Sequence, residues 1–110
     1  VDYNKMQSDD LNANIIGLEP LVKKWESFGW SVFEINGHDS DEIKFAFDSA
    51  KKVKNKPTVI IANTIKGKGV SFMENSPTWH GSVKMTDSDL KQALFELGAS
   101  KSEIGAIINE

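Results

Sequence analysis

At 110 residues the chain has the length of one domain or part of one, and folded alone it would bury roughly two-thirds of the surface its unfolded form exposes. Its chemistry is ordinary for a globular protein, 39% hydrophobic and 26% charged. A formal net charge of −3 with no arginine excludes a nucleic-acid binder working through bulk positive charge or guanidinium clamps. The absence of cysteine excludes disulfides and thiolate metal sites. No apolar run reaches the about 18 residues of a membrane-spanning helix, and no basic-then-apolar signal pattern opens the chain. A cytoplasmic protein with neither nucleic-acid nor membrane partners is the expectation.

Val1-Asp-Tyr-Asn4 reads as the end of a strand already in progress, which suggests one segment of a longer protein. Residues 1–17 are polar and irregular after the opening dipeptide, rich from Asn4 onward in Asn, Asp and Ser, whose side chains compete for backbone hydrogen bonds and favour turns. Pro20 then suits a first helical turn. Leu21, Val22, Trp25 and Phe28 share a helical face, and Gly29 suits a left-handed cap, predicting a helix over about 19–28. Residues 30–35 predict a strand, and Asn36-Gly-His-Asp39 a turn in which His38 reads as a turn residue. Asp39 or Ser40 can cap a second helix with Ile43, Ala46, Phe47 and Ala50 as its apolar stripe. Lys51, Lys52, Lys54 and Lys56 crowd its end, as the helix dipole favours.

Thr58–Asn63 lacks alternation, as expected of a parallel strand covered on both faces. Strand, helix and strand make a βαβ unit whose crossover is right-handed in nearly all known cases. Thr86 with Asp89 resembles a capping box, and Leu90, Ala93, Leu94 and Leu97 mark a third helix ended by Gly98. Residues 100–109 predict a short last helix. The fold class is therefore α/β: a parallel sheet with flanking helices, only partly present in this chain.

Between the second strand and the third helix lies a polar, glycine-punctuated loop, residues 64–81, in the position where open α/β sheets bind ligands. Lys66 and Lys68 bring charge, Gly67 and Gly69 permit close backbone approach, and His80 exchanges protons near neutrality. Lys66-Gly-Lys-Gly69 is neither a Walker A loop nor a dinucleotide fingerprint, since Phe72 occupies the place of the third glycine. By spacing alone, a phosphate loop and a bare hairpin tip both fit it, and His80 can be functional or merely exposed. Asn4 and nearby carbonyls are hard oxygen donors suited to Mg²⁺ or Ca²⁺, with no carboxylate clearly assigned to join them. Trp25 and Trp30 read as core or interface.

Taken in order, Val1-Asp-Tyr-Asn-Lys-Met-Gln-Ser-Asp9, Leu18-Glu-Pro-Leu21, Phe28-Gly-Trp30, Asn36-Gly-His-Asp39, Thr64-Ile-Lys-Gly-Lys-Gly69 and Trp79-His-Gly81 resemble the thiamine-diphosphate domain of the transketolase family. The resemblance implies thiamine diphosphate and Mg²⁺ as cofactors and transfer of a two-carbon ketol unit between sugar phosphates. It further implies that Asn4 and the Met6 carbonyl ligate magnesium, that Lys66 lies beside the cofactor, and that His80 stands close to diphosphate and substrate as the catalytic donor. The thiazolium ring would supply the carbanion chemistry while the protein positions and polarises.

Two departures bear on what the chain can do alone. Asp10 stands where many relatives have glycine. The family's Gly-Asp-Gly segment and the glutamate that activates the aminopyrimidine have no counterpart here. Residues 1–110 would thus be a partial domain, inactive in isolation. It would depend on the upstream remainder and on a C-terminal subunit or pyrimidine-binding domain, within a homo-oligomer such as a dimer. Its end near residue 110 resembles the end of the N-terminal subunit in split transketolases. The competing expectations are a non-catalytic folded fragment that associates, and a related thiamine enzyme such as a deoxyxylulose-phosphate synthase or a transketolase-like enzyme for an unusual sugar.

Overall fold

Residues 1–8, 10–81 and 83–108 are described by a computed structural model. They fall into two compact units, Val1–Thr64 and the residues from Ile65 onward. In the first, Asp2–Tyr3 (β1) is followed by Met6–Gln7 (β2), Asp10–Leu11 (β3) and a single helical turn, Asn12–Ile15 (α1). Leu21–Ser27 (α2), Ser31–Asn36 (β4), Ser40–Ala50 (α3) and Thr58–Asn63 (β5) complete it. β4 and β5 pair in parallel with Ser31 opposite Thr58 and Asn36 opposite Asn63, and β1 pairs in parallel with β5 on its other side. The strand–helix–strand reading is therefore what the chain adopts, with β5 central in the order β1-β5-β4.

The two faces of this sheet are covered unequally. Val59 and Ile61 point to one face and form the core with Tyr3, against which Leu18, Leu21, Val22, Trp25, Trp30 and Val32 pack. Ile61 is 1% exposed, and burying such a side chain stabilises by roughly 1.5–3 kcal/mol. On the other face, beneath α3, Ala46 is fully buried but Ile60 and Ala62 are only half-buried. The expectation of a strand covered on both faces is thus met on one. The apolar run in β5 provides for a cover that α3 alone does not supply.

Three boundaries differ from expectation for local reasons. The irregular stretch over 1–17 contains the antiparallel β2–β3 hairpin, Met6 opposite Leu11. Left-handed Lys5 and Ser8, φ +66° and +52°, bend the chain into and around it. α2 begins only at Leu21, because Pro20, after a cis peptide bond, takes the capping position in extended conformation. The helix ends at Ser27, so Phe28 leaves its expected face and stands 80% exposed, before Gly29 turns the chain at φ +83°. Trp25 and Trp30 meet edge to face at 4.9 Å across this turn, as core residues. Asp39 is the cap of α3: its carboxylate accepts from the N–H groups of Asp41 and Glu42. Phe47, expected in the apolar stripe, is exposed.

The second unit holds a 3-10 turn, Pro77–His80, and two helices, Asp87–Glu96 (α4) and Lys101–Ile108 (α5), which contact each other. Thr86 and Asp89 form the full reciprocal capping box of α4. Ala93 is its buried contact residue and Leu97, beyond its end, is exposed. Residue 109, expected in α5, and Asp9 lie outside the described residues. Among the described residues no helix is long and apolar enough to cross a membrane.

Candidate functional site

Because β1, β4 and β5 are parallel, their carboxyl ends lie along one edge of the sheet, and the chain leaves that edge at Asn4, Gly37 and Thr64. The exits are tied to one another. The Gly37 N–H donates to the Asn63 carbonyl at 2.8 Å, the Thr64 N–H to the Tyr3 carbonyl at 3.4 Å, and the Thr64 hydroxyl to the Asp2 carboxylate. At position 37 a Cβ would come within 2.5 Å of Thr64 Cγ2, so only glycine lets the two exits close. His38, in the adjoining turn, donates its N–H to Asn36 Oδ1 at 3.0 Å, which is the turn role expected of it.

Asn4 and Met6 come together here. The Met6 N–H donates to Asn4 Oδ1 at 2.9 Å, which occupies one acceptor position of that oxygen and leaves another. Asn4 is half-buried and Met6 buried, and both line a cleft of about 310 Å³ with Gln7, Asn12, Leu21 and Trp25. Would these residues suit a dication? An amide oxygen and a main-chain carbonyl are hard but neutral donors, and the described residues contain no cluster of three or more carboxylate or imidazole groups. The donor set fits magnesium only as part of a shared shell whose negative charge comes from the ligand, as a diphosphate would provide.

Lys66 and His80 belong to the second unit. Residues 65–76 close on themselves. The Asn75 N–H donates to the Lys66 carbonyl at 3.1 Å, the Met73 and Glu74 N–H groups to the carbonyl of buried Val70 at 2.9 and 3.0 Å, and the Ser76 N–H to Met73 at 3.2 Å. Gly67 and Gly69 are left-handed, at φ +77° and +96°. The close approach that Gly67 permits is to the chain itself: a Cβ there would stand 2.6 Å from the Met73 backbone. Lys68 is 3.6 Å from Glu74. His80, exposed, ends the 3-10 turn, and the Trp79 ring before it meets Phe72 at 5.3 Å between centroids, tilted by 58°.

Sequence reading alone passes over two carboxylates that organise these segments. Glu96, at the end of α4, accepts from Ser71 twice, its N–H at 2.5 Å and its hydroxyl at 2.7 Å, and from Gln92 at 3.0 Å. Gln92 and then Ser71 hold its carboxyl below the usual range. Glu19 accepts the Tyr3 hydroxyl at 2.7 Å, and that bond, with the Leu21 N–H, lowers its carboxyl likewise. The same bond, with burial, pushes the Tyr3 phenol up to about 12. Both contacts join residues far apart in sequence, so no local pattern announces them.

A parallel sheet with oxygen donors at the carboxyl end of a strand belongs to the class of open α/β domains, whose ligand sites lie beyond that edge. The family model described as "Transketolase, thiamine diphosphate binding domain" matches residues 1–110. Among similar proteins is the 6-deoxy-6-sulfo-D-fructose transketolase subunit SqwG of Clostridium sp. (strain MSTE9), 49% identical over 96 residues, 87% of this chain and 34% of the relative. Another is an apulose-4-phosphate transketolase subunit of Actinobacillus succinogenes, 42% identical over 98 residues, with the same shares. Crystal structures of transketolase from Campylobacter jejuni (TM-score 0.78, 28% identity, 97% of this chain and 18% of that one) and from Pichia stipitis with sedoheptulose-7-phosphate (TM-score 0.77, 29% identity, 98% and 17%) have a similar fold. The chain belongs to the transketolase thiamine-diphosphate-binding domain family, as its motifs imply, and it spans about a third of the length of these curated relatives.

Proposed function

We propose that this chain forms part of a transketolase that transfers a two-carbon ketol unit between sugar phosphates, using thiamine diphosphate and Mg²⁺. The observation that carries the reading is the Asn4–Met6 pair at the carboxyl end of β1: the Met6 N–H fixes the Asn4 amide, and this pair itself offers neutral oxygens, with no cluster of three or more carboxylate or imidazole groups among the described residues. Such a pair suits magnesium held against a diphosphate. Bound there, thiamine diphosphate supplies the electron sink for carbon–carbon cleavage and ligation. The protein's own share is positional: Asn4 and Met6 orient the metal, Lys66 places positive charge beside the cofactor, and His80 donates to oxygen as negative charge develops on it.

The names of the two curated relatives pair transketolase activity with sugars bearing an anionic group, a sulfonate in one and a phosphate in the other. We extend that class to this protein: a ketose with an anionic end group. That those relatives are called subunits supports a C-terminal partner subunit that completes the enzyme; we further propose that the isolated chain is inactive and that the assembly is a cytoplasmic homo-oligomer. The test is calorimetric titration of the assembled enzyme with thiamine diphosphate, with and without Mg²⁺, beside turnover of His80→Ala. Magnesium-dependent binding, and turnover lost far beyond any loss of stability, are expected. Binding indifferent to magnesium, or activity and stability falling together, would sink the reading.

A further inference from the structure

Between the two candidate metal ligands stands Lys5, a residue with a side chain held at φ +66°. A left-handed backbone is unfavourable for such a residue, and persists where surrounding contacts over-determine it. Here they do. The Lys5 carbonyl accepts from the Asn12 N–H at 2.8 Å, and the Met6 N–H is turned back onto Asn4 Oδ1 at 2.9 Å. The Lys5 ammonium sits 3.5 Å above the centre of the Tyr3 ring and 3.7 Å from Glu19 Oε1. That oxygen also accepts the Tyr3 hydroxyl at 2.7 Å, while Glu19 Oε2 accepts the Leu21 N–H, at the start of α2, at 3.0 Å.

We propose that Glu19 is a positioning residue for the metal loop, acting through Lys5 and Tyr3. One carboxylate gathers donors from β1, from the reversed turn and from the first residue of α2. The dihedral angles of Lys5 set the direction in which Met6, and hence its carbonyl, leaves the turn relative to the Asn4 amide. Tethering the Lys5 side chain to Glu19 refers that direction to the frame of α2 and the core residue Tyr3, which is 6% exposed. Outer contacts of this kind orient ligands that cannot orient themselves, and removing them characteristically weakens metal affinity by about 10–100-fold. Glu19 touches neither metal nor cofactor in this scheme, so its effect is confined to geometry.

The inference rests on the reading of Asn4 and Met6 as metal ligands, and the test separates the two. Mn²⁺ replaces Mg²⁺ as probe, and its binding to the assembled enzyme with thiamine diphosphate is measured by the loss of the free-ion electron paramagnetic resonance signal. Glu19→Gln and Lys5→Met should each weaken Mn²⁺ binding by about 10-fold or more; the metal-free unfolding midpoint should change little in Lys5→Met, whose lost ion pair is exposed, and fall modestly in Glu19→Gln, which also weakens the bonds to the Tyr3 hydroxyl and the Leu21 N–H. Lys5→Gly, which removes the tether and the left-handed strain together, should match or exceed the wild-type midpoint and still bind Mn²⁺ poorly. Lys5→Met tests the same tether should Glu19→Gln fail to fold. Asn4→Ala is the control. If it leaves Mn²⁺ binding unchanged, the metal reading falls and the inference with it. If it weakens binding while Glu19→Gln and Lys5→Met do not, or if they lose stability and affinity in proportion, the positioning role alone is overturned.

Discussion

Gly67 and Gly98 offer a matched pair in which one substitution separates backbone strain from steric closure. Both are left-handed, φ +77° and +89°, so alanine at either incurs about 1–2 kcal/mol for that conformation, offset by about 0.4–1 kcal/mol from the stiffer unfolded chain. Around Gly98 a Cβ would meet nothing within 4 Å, whereas at Gly67 it would stand 2.6 Å from the carbonyl carbon, the oxygen and the Cβ of Met73. Ordinary carbon contacts begin near ~3.5 Å, and two of the three obstructing atoms are backbone that cannot rotate aside. Overpacking of this order adds about 1–3 kcal/mol. Gly98→Ala should therefore cost about 1 kcal/mol and Gly67→Ala roughly 2–4 kcal/mol in urea unfolding. Any relief must come from displacing the Lys66–Gly67 backbone, so thiamine diphosphate affinity should drop at Gly67 and hold at Gly98. Stability losses equal within about 0.5 kcal/mol, with cofactor affinity unchanged in both, would refute the claim that this glycine closes the loop.

Two further outcomes follow from named contacts. Tyr3 is the sole tyrosine, so phenolate absorbance reports it directly: it should titrate at about 12 in the folded protein and near 10 after denaturation. Since folding raises this value, the associated stability is complete below pH ~10 and disappears as pH climbs towards the folded value; Glu19→Gln should lower the midpoint. Thr86→Ala removes one half of the capping box of α4 and should cost about 1 kcal/mol by chemical denaturation, without touching cofactor binding if α4 serves only as scaffold.

What could be read from the sequence was whatever is local. β4, α3 and β5 are contiguous, each with its own apolar pattern, and the Asp39 and Thr86 caps stand next to the helices they start. The β2–β3 hairpin escaped because two-residue strands carry no periodicity, and its bend is made by Lys5 and Ser8 rather than by glycine. Phe28 was misplaced because helical spacing says nothing of where a helix stops. In the loop, the glycines pointed to close backbone approach, and at Gly67 the atoms approached include those of Met73. Glu19 and Glu96 were invisible for a different reason: their partners are set by the folded chain and not by neighbours in sequence.

The strand order also has a consequence in time. β5 must find β4 through a connection that α3 already shortens, but it meets β1 across roughly twice that sequence separation. Local pairings form early and distant ones late, so β1 docks onto a βαβ unit that is already made. During synthesis the residues around Asn4 emerge before β5 and acquire their geometry only after it, once Ala62 and Thr64 are available to bond Val1 and Tyr3. In refolding, the Ala62 and Thr64 amides should gain exchange protection after the β4–β5 pairing is complete; simultaneous protection would contradict this order. If Asn4 and Met6 hold magnesium as proposed, a nascent chain would be unable to capture it before β5 is complete, and cofactor loading would be an event of the finished protein.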